Sequence, residues 1–186
     1  MAGSTGEPIG PFPPGVEGPE AEAEYDRLRR RVLWKMPSGL YVVGSRHGEE
    51  RNLMTLNWAT QLSFEPKLVG VSVEIGARTH RLIATGGAFS LCVLDREDRA
   101  VVRRFVKPAD LDAAAGTLSG ERFVDGPATG VPVLAASAAW IECALRQQVA
   151  CGGHTMFVGE VVASGFAKAE DTAVLRMEDT RMNYGG

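Results

Sequence analysis

The chain has 186 residues, 45% of them hydrophobic, which is enough to bury the core of one domain and too little for a second full one. Its 23 acidic and 20 basic residues are spread along the sequence and leave a formal charge of −3, so no extended basic surface is offered to a polyanion and nucleic acid is a poor partner. Three cysteines, Cys92, Cys143 and Cys151, cannot all pair within one chain, which points to a reducing compartment and places the protein in the cytoplasm.

Met1 to Gly18 is rich in Gly, Pro and Glu where a signal peptide would carry basic residues and then an apolar run. No apolar stretch is long enough to span a bilayer, so no membrane is expected. Pro8, Pro11, Pro13, Pro14 and Pro19, interleaved with glycines, remove backbone donors and bury little, so Met1 to Glu20 reads as a disordered tail ahead of a single domain from residue 21 to 186. From Ala21 to Leu33 an acidic start, the basic run Arg29-Arg30-Arg31, and Tyr25, Leu28 and Val32 at helical spacing predict an amphipathic helix, stopped by Pro37.

Gly39 to Gly44 is β-branched and apolar, and His47-Gly48-Glu49-Glu50 is a polar turn into Asn52 to Leu62, which predicts a hairpin. Lys67 to Glu74 alternates as a half-buried strand. Thr79 to Ala84 reads as a short helix ending at Gly86-Gly87, followed by a strand from Ala88 to Leu94. Glu97 to Val106 reads as a stronger helix that Pro108 stops, and Leu111 to Leu118 as helical too. Two long strands, Ala138 to Ala150 and Thr155 to Ala167, flank the turn Cys151-Gly152-Gly153-His154, and Val174 to Met177 adds a short strand. Strands dominate and helices do not alternate with them, so the expected fold is mainly β, a barrel with inserted helices.

No Gly-x-Gly-x-x-Gly follows a predicted strand and no Gly-Lys-Ser/Thr loop occurs, which removes Rossmann and P-loop nucleotide sites. His47, His80 and His154 lie far apart with no Gly-x-Ser-x-Gly elbow, so a hydrolase triad has no support. Cys151-x-x-His154 with Cys143 lacks the paired spacing and fourth ligand of structural zinc, so no metal is expected. The segment Asn52 to Pro66 is unusual for a strand. Thr55, Asn57, Thr60, Gln61 and Ser63 follow in close succession, a row of neutral donors and acceptors that suits the ribityl hydroxyls and pyrimidine edge of a flavin, or else ordinary polar residues of an edge strand.

Met54-Thr55, Thr60 and Ser63-x-x-Pro66 resemble the Met-Thr, Thr/Ser and Ser-x-Asp/Glu-Pro pattern of the flavin reductase family, the FMN-binding split barrels that include small ferric reductases and flavoredoxins. Gly76-Ala77-Arg78-Thr79-His80-x-Leu82-Ile83 is similar to the family's Ser/Arg-Thr-x-x-x-Ile turn, which leads into a helix after the third strand. An arginine at a helix N-terminus makes a natural phosphate seat, or else is a solvated residue beside a helix cap. Gly152-Gly153-His154-Thr155-Met156-Phe157-Val158-Gly159-Glu160-Val161 resembles the family's Gly-Asp-His-Thr-x-Phe-x-Gly-Glu-Val, and the closing Met182-Asn183-Tyr184-Gly185-Gly186 resembles C-termini of one branch. The chain departs from the pattern at Gly153, where many members have Asp, at Lys67, where a second Pro is usual, and at Asn57-Trp58, where smaller polar residues are usual.

The resemblance implies an NAD(P)H-dependent flavin reductase that binds FMN, or FAD, as a homodimer, with a partner oxygenase in some systems. A flavoredoxin-like FMN electron carrier serving a protein partner is the alternative. By the same resemblance Thr55, Leu56, Asn57, Trp58, Ala59, Thr60, Gln61 and Ser63 hold the ring and ribityl chain, Ala77, Arg78 and Thr79 the phosphate, and His154 stands near the ring or the nicotinamide as the catalytic candidate. Trp58 suits stacking near the flavin or closing the nicotinamide side, and equally core or dimer packing.

Overall fold

A computed structural model describes residues 12–180, so the closing Met182 to Gly186 and the first eleven residues lie outside the described region. The described residues form two compact units, 12–37 and 38–180. In the smaller, α1 (Pro19–Leu33) begins two residues earlier than its periodicity suggests, because a proline fits the first turn, whose N–H has no helical partner. Phe12 packs edge-on against Tyr25 at 6.3 Å, and the Arg29 guanidinium lies over the Phe12 ring at 5.0 Å. No residue of α1 is buried.

The larger unit holds β1 (Tyr41–His47), β2 (Glu50–Leu56), β3 (Ala59–Ser63), β4 (Leu68–Glu74), α2 (Arg78–Gly86), β5 (Ala88–Val93), β6 (Leu111–Asp112), β7 (Thr117–Leu118), β8 (Glu121–Asp125), β9 (Pro132–Leu134), β10 (Ala139–Cys151) and β11 (His154–Phe166). One sheet has the order β2-β1-β5-β10-β11-β4-β3, and a smaller one runs β6-β7-β8-β9, every pairing antiparallel. β2 and β3 stand at opposite ends of the seven-stranded order, yet only Asn57 and Trp58 join them. Seven strands laid flat would hold the outer two about 29 Å apart. Three Cα steps span at most about 11 Å. The sheet therefore rolls up until its two edges meet at Asn57-Trp58, which is the mainly β barrel with inserted helices expected from the strand pattern.

The barrel is filled by Val43, Leu56, Val71, Val73, Phe89, Leu91, Cys143 and Phe157, with Ile83 of α2 among them. α2 stops where expected: Gly87 takes a left-handed φ of +71°, and a Cβ on Gly86 would sit 1.9 Å from the Arg46 carbonyl, so α2 can approach β1 only through a glycine.

Four expectations change. The predicted strand Asn52 to Leu62 is two strands, because closing the barrel forces a break at Asn57-Trp58. Leu111 to Leu118 is a small hairpin, not a helix: the Ala115 N–H donates to Asp112 Oδ1 at 3.0 Å and Gly116 takes φ +65°, turn chemistry that overrides the helix propensity of the alanines. The helix Glu97 to Val106 shrinks to a 3-10 turn at Val101–Phe105, since Asp95 first captures the Glu97 N–H at 2.9 Å. Val174 to Met177 contributes isolated bridges, Val174 with Asp95 and Arg176 with Gly39.

Asn52, almost fully buried, ties these pieces together. Its amide donates to Thr79 Oγ1 of α2 at 2.8 Å, and its carbonyl accepts the Ala109 N–H at 2.8 Å. Replacing Asn52 by Ala leaves both partners buried and unpaired, so Asn52→Ala is expected to cost about 1–3 kcal/mol per group, read as a lower midpoint in urea denaturation with an unchanged slope.

Candidate functional site

Three segments remote in sequence converge where β4 hands over to α2. The Ile75 N–H donates to the Gly153 carbonyl at 2.9 Å, which holds the β10–β11 turn against the start of the α2 turn. His154 pairs with Glu74 in register, and the Trp58 carbonyl accepts the Ser72 N–H at 2.9 Å. The Trp58 indole and the His154 imidazole lie 5.0 Å apart, tilted by 59°. One residue along β11, Thr155 Oγ1 meets His80 Nε2 of α2 at 2.8 Å. The backbone of β11 thus links two contacts on opposite faces of the sheet, Trp58 with His154 and Thr155 with His80 in the first turn of α2.

Strand alternation sorts the side chains. Phe157 faces the core, so Thr155 shares its face while His154 and Met156 look outward. Leu62 and Met156 both lie over Gly70, where a Cβ would fall 2.9 Å from Leu62 Cδ1. The outer face of β3, β4 and β11 therefore carries Trp58, Thr60, Leu62, Ser72 and His154 around a shallow floor at Gly70. Trp58 and Leu62 are each 43% exposed and Phe64 83%. Thr60 and Gln61 are exposed and make only local bonds, Thr60 Oγ1 to the Gln61 carbonyl at 3.3 Å and Gln61 Nε2 to the Ser63 carbonyl at 3.2 Å. Asn57, Ala59 and Ser63 are half-buried beside them.

The polar row read from Thr55 to Ser63 is not one row. Thr55 is buried and its hydroxyl donates to the Val102 carbonyl at 2.5 Å, on the far side of the break from Trp58. Leu56 belongs to the core, and the Thr79 hydroxyl, fully buried, is taken by Asn52. These three residues offer a ligand their backbone at most. Ala77 is the N-cap residue of α2, no side chain caps that end, and Arg78 is its first helical residue.

A family model described as the flavin reductase like domain matches residues 33–185. The chain belongs to the flavin reductase-like domain family. It is 32% identical over 143 residues to a Streptomyces globisporus protein named NADH-dependent FAD reductase, covering 75% of this chain and 76% of that one. Among solved structures it resembles the NADH:FAD oxidoreductase SgcE6 of Streptomyces globisporus C-1027 in complex with NAD and FAD fragments, at 28% identity and TM-score 0.70 over 83% of this chain and 88% of that one. It likewise resembles the styrene monooxygenase flavin reductase of Pseudomonas putida S12, at 27% identity and TM-score 0.66 over 79% and 90%.

Three residues of this flavin reductase-like chain, Glu50, Arg81 and His80, were not among the expected site residues. Glu50 Oε1 accepts from Arg78 Nε at 2.8 Å and from Arg81 Nη2 at 2.6 Å, while Arg78 Nη1 donates to the Ala109 carbonyl at 3.1 Å. Arg78 is thus already oriented by β2 and by the segment before β6. Two guanidinium groups on one carboxylate leave a net positive cluster beside the uncapped start of α2. His80, the third, packs edge-on against Phe157 at 5.0 Å while holding Thr155. Glu50 looked like a turn residue, and only the sheet register brings it to α2.

Among the described residues no three His, Cys, Asp or Glu side chains gather as a metal would need. Burial pushes the Cys92 thiol up to about 11 and the Cys143 thiol to about 12, which keeps both protonated. Arg81 first and Arg78 second pull the Glu50 carboxyl from 4.5 down to about 2. A depressed acid stabilises the fold fully above 4.5 and loses that contribution as pH falls toward 2. Urea denaturation across that range is expected to show the wild type losing stability faster than Glu50→Gln. Parallel curves would show that Glu50 is not coupled to the fold.

Proposed function

We propose that this chain is an NAD(P)H-dependent flavin reductase that binds FMN across the junction of β3, β4, β11 and α2. The observation that carries the reading is the meeting of Trp58 and His154 on an exposed sheet face, one residue along β11 from the Thr155–His80 bond that holds an uncapped helix start flanked by two arginines. The residues fit a flavin phosphate in charge and an isoalloxazine in character. An aromatic ring and a small glycine floor suit a flat heterocycle, and Asn57, Thr60, Gln61 and Ser63 supply neutral hydrogen-bonding groups, with the Glu74 carboxylate opposite His154 at the edge.

A bound flavin would supply the acceptor for a nicotinamide hydride, so no side-chain nucleophile is required. The chain's own residues bind, orient and exclude water. Arg78, with the free N–H groups of the first α2 turn, holds the phosphate, and Glu50 keeps that guanidinium in place. Trp58 covers one side of the ring site. His154, its ring carried against Trp58, is the candidate proton donor or nicotinamide contact. Gly153 puts no carboxylate before it, and the imidazole lies against the indole with Glu74 across from it in the sheet register.

The exposed Trp58, Leu62 and Phe64, with Val162 and Phe166 of β11, favour a second copy covering this outer face, so the working form proposed is a homodimer. No described helix is long and apolar enough to cross a membrane, and three unpaired cysteines suit the cytoplasm. The likeness to a monooxygenase's flavin reductase supports an oxygenase as the consumer of the reduced flavin.

The reading is tested at Arg78. A charge-assisted phosphate contact is worth roughly 1.5–3 kcal/mol, so Arg78→Ala is expected to weaken FMN about ten- to a hundredfold. Riboflavin, which lacks the phosphate, is expected to change far less, and this comparison removes whatever stability is lost with the Glu50 and Ala109 bonds. Equal weakening of both flavins, or of neither, removes Arg78 from the phosphate site. FAD bound more tightly than FMN by the wild type would shift the cofactor assignment, and tight FMN with negligible NAD(P)H oxidation would favour the electron carrier.

A further inference from the structure

The long strand β10 outruns its neighbour β5. The two pair only over Ala139–Ala144, and a last bond runs from the Leu145 N–H to the Gly87 carbonyl at 2.9 Å. A bulge at Arg146 follows, between Leu145 and Gln147. From there to the Gly152-Gly153 turn, β10 has β11 on one side and no strand on the other among the described residues. Hairpin geometry says which backbone groups that leaves over. Cys151 and His154 flank a two-residue turn whose first glycine has φ +61°, so they form a hydrogen-bonded pair, as do Val149 with Met156 and Gln147 with Val158. Gln148 and Ala150 therefore turn their N–H and C=O groups away from β11. The far side of β11 keeps the same phase, since the Ile75 N–H after β4 donates to the Gly153 carbonyl. Among the described residues none of these outward groups has a partner, and residues 146–151 are all exposed.

Gln147-Gln148-Val149-Ala150-Cys151 carries no charge and no proline, the residues that ordinarily guard a sheet edge. We propose that this edge of β10 pairs antiparallel with the same edge of a second copy of this chain, about a two-fold axis at Val149. In that register Gln148 faces Ala150 of the second copy and Ala150 faces its Gln148, both as hydrogen-bonded pairs, so every outward group on both chains is satisfied. Neighbouring registers leave groups over. An axis at Gln148 sets Ala150 against the bulged Arg146, and an axis at Ala150 carries Gln148 onto the turn. The side chains agree. Val149, 37% exposed, meets its own copy across the axis in the closer, non-hydrogen-bonded kind of pair, and Gln147 meets Cys151 of the second copy. The nearest charge, Arg146, is held by Glu160 at 2.8 Å within its own chain and falls beside the glycine turn of the second copy, which has no side chain to meet it. The occupant that matches two outward residues set evenly about an apolar centre, with no charge to complement, is the same strand reversed. This contact lies at a strand edge, separate from the covering of the outer face proposed above, and does not depend on the flavin reading.

A contact this small is best trapped covalently. Gln147→Cys is made in full-length protein that keeps the exposed Cys151, while Cys92 and Cys143 are buried. Within one strand positions 147 and 151 lie about 13 Å apart. A disulfide needs Cα atoms within about 7 Å, so any bond between them joins two chains. Mild oxidation is expected to give a covalent dimer on a denaturing, non-reducing gel, while the wild type and Gln147→Cys with Cys151→Ser stay monomeric. Val149→Cys with Cys151→Ser, whose one exposed thiol faces itself across the axis, is expected to dimerise as well. Adding Gln148→Pro or Ala150→Pro to either removes an outward N–H without touching the bonds to β11, and is expected to abolish the dimer. No cross-link in cysteine variants whose circular dichroism matches the wild type would leave the edge to some other strand and overturn the proposal. So would a dimer that persists in folded proline variants, or equal cross-linking of the wild type or of Gln147→Cys with Cys151→Ser, which would mean chance collision or another register.

Discussion

The constraint on which the rest depends is the short joint Asn57-Trp58. It links strands from opposite ends of a seven-stranded sheet, so the sheet must roll until those edges meet. Rolling does two things at once. It closes the core around Phe89 and Phe157, and it carries Trp58 from the end of β2 across to β4 and β11, where its ring meets His154. Core and site are consequences of the same closure, and neither could form in an open sheet of these strands.

How far this was legible depends on the range of the interactions involved. β4, β5, β10, β11 and α2 are locally specified, by alternation or by a glycine stop, and their bounds shifted by one or two residues. Elements whose form is set by turn chemistry were misjudged. Ala113-Ala114-Ala115 looks helical, but Asp112 and Gly116 close a hairpin around it. β8 and β9 escaped notice because Glu121–Asp125 is polar and half-exposed and Pro132–Leu134 is only three residues long. The break inside Asn52 to Leu62 could not be read at all, since it answers to barrel closure and not to any local preference.

The candidate site divides in the same way. The segments 57–63, 76–83 and 152–161 stood out through their motifs, and the fold brings them together around β11. Side-chain direction did not stand out. Thr55 and Thr79 have the right chemistry and spend it inside the protein, on Val102 and Asn52. Conversely Glu50, Arg81 and His80 act through partners 28 to 75 residues away, a range at which spacing carries no information. The arginine turn therefore has a role besides the phosphate seat proposed for it. It is also a joint between β2, α2 and the segment before β6, and a loss there is felt by fold and site together.

The central claim is that flavin lies on the outer face of β3, β4 and β11 with its phosphate at the start of α2. Backbone hydrogen exchange of the full chain with and without FMN tests this most directly, because it reports where the ligand protects the chain without altering a residue. The account predicts that protection concentrates in Asn57 to Ser63, Gly76 to His80 and Gly153 to Thr155. Protection centred instead on the cleft formed by Arg46, His47, Thr85 and Thr129 at the other end of α2, in protein that demonstrably binds FMN, would contradict it.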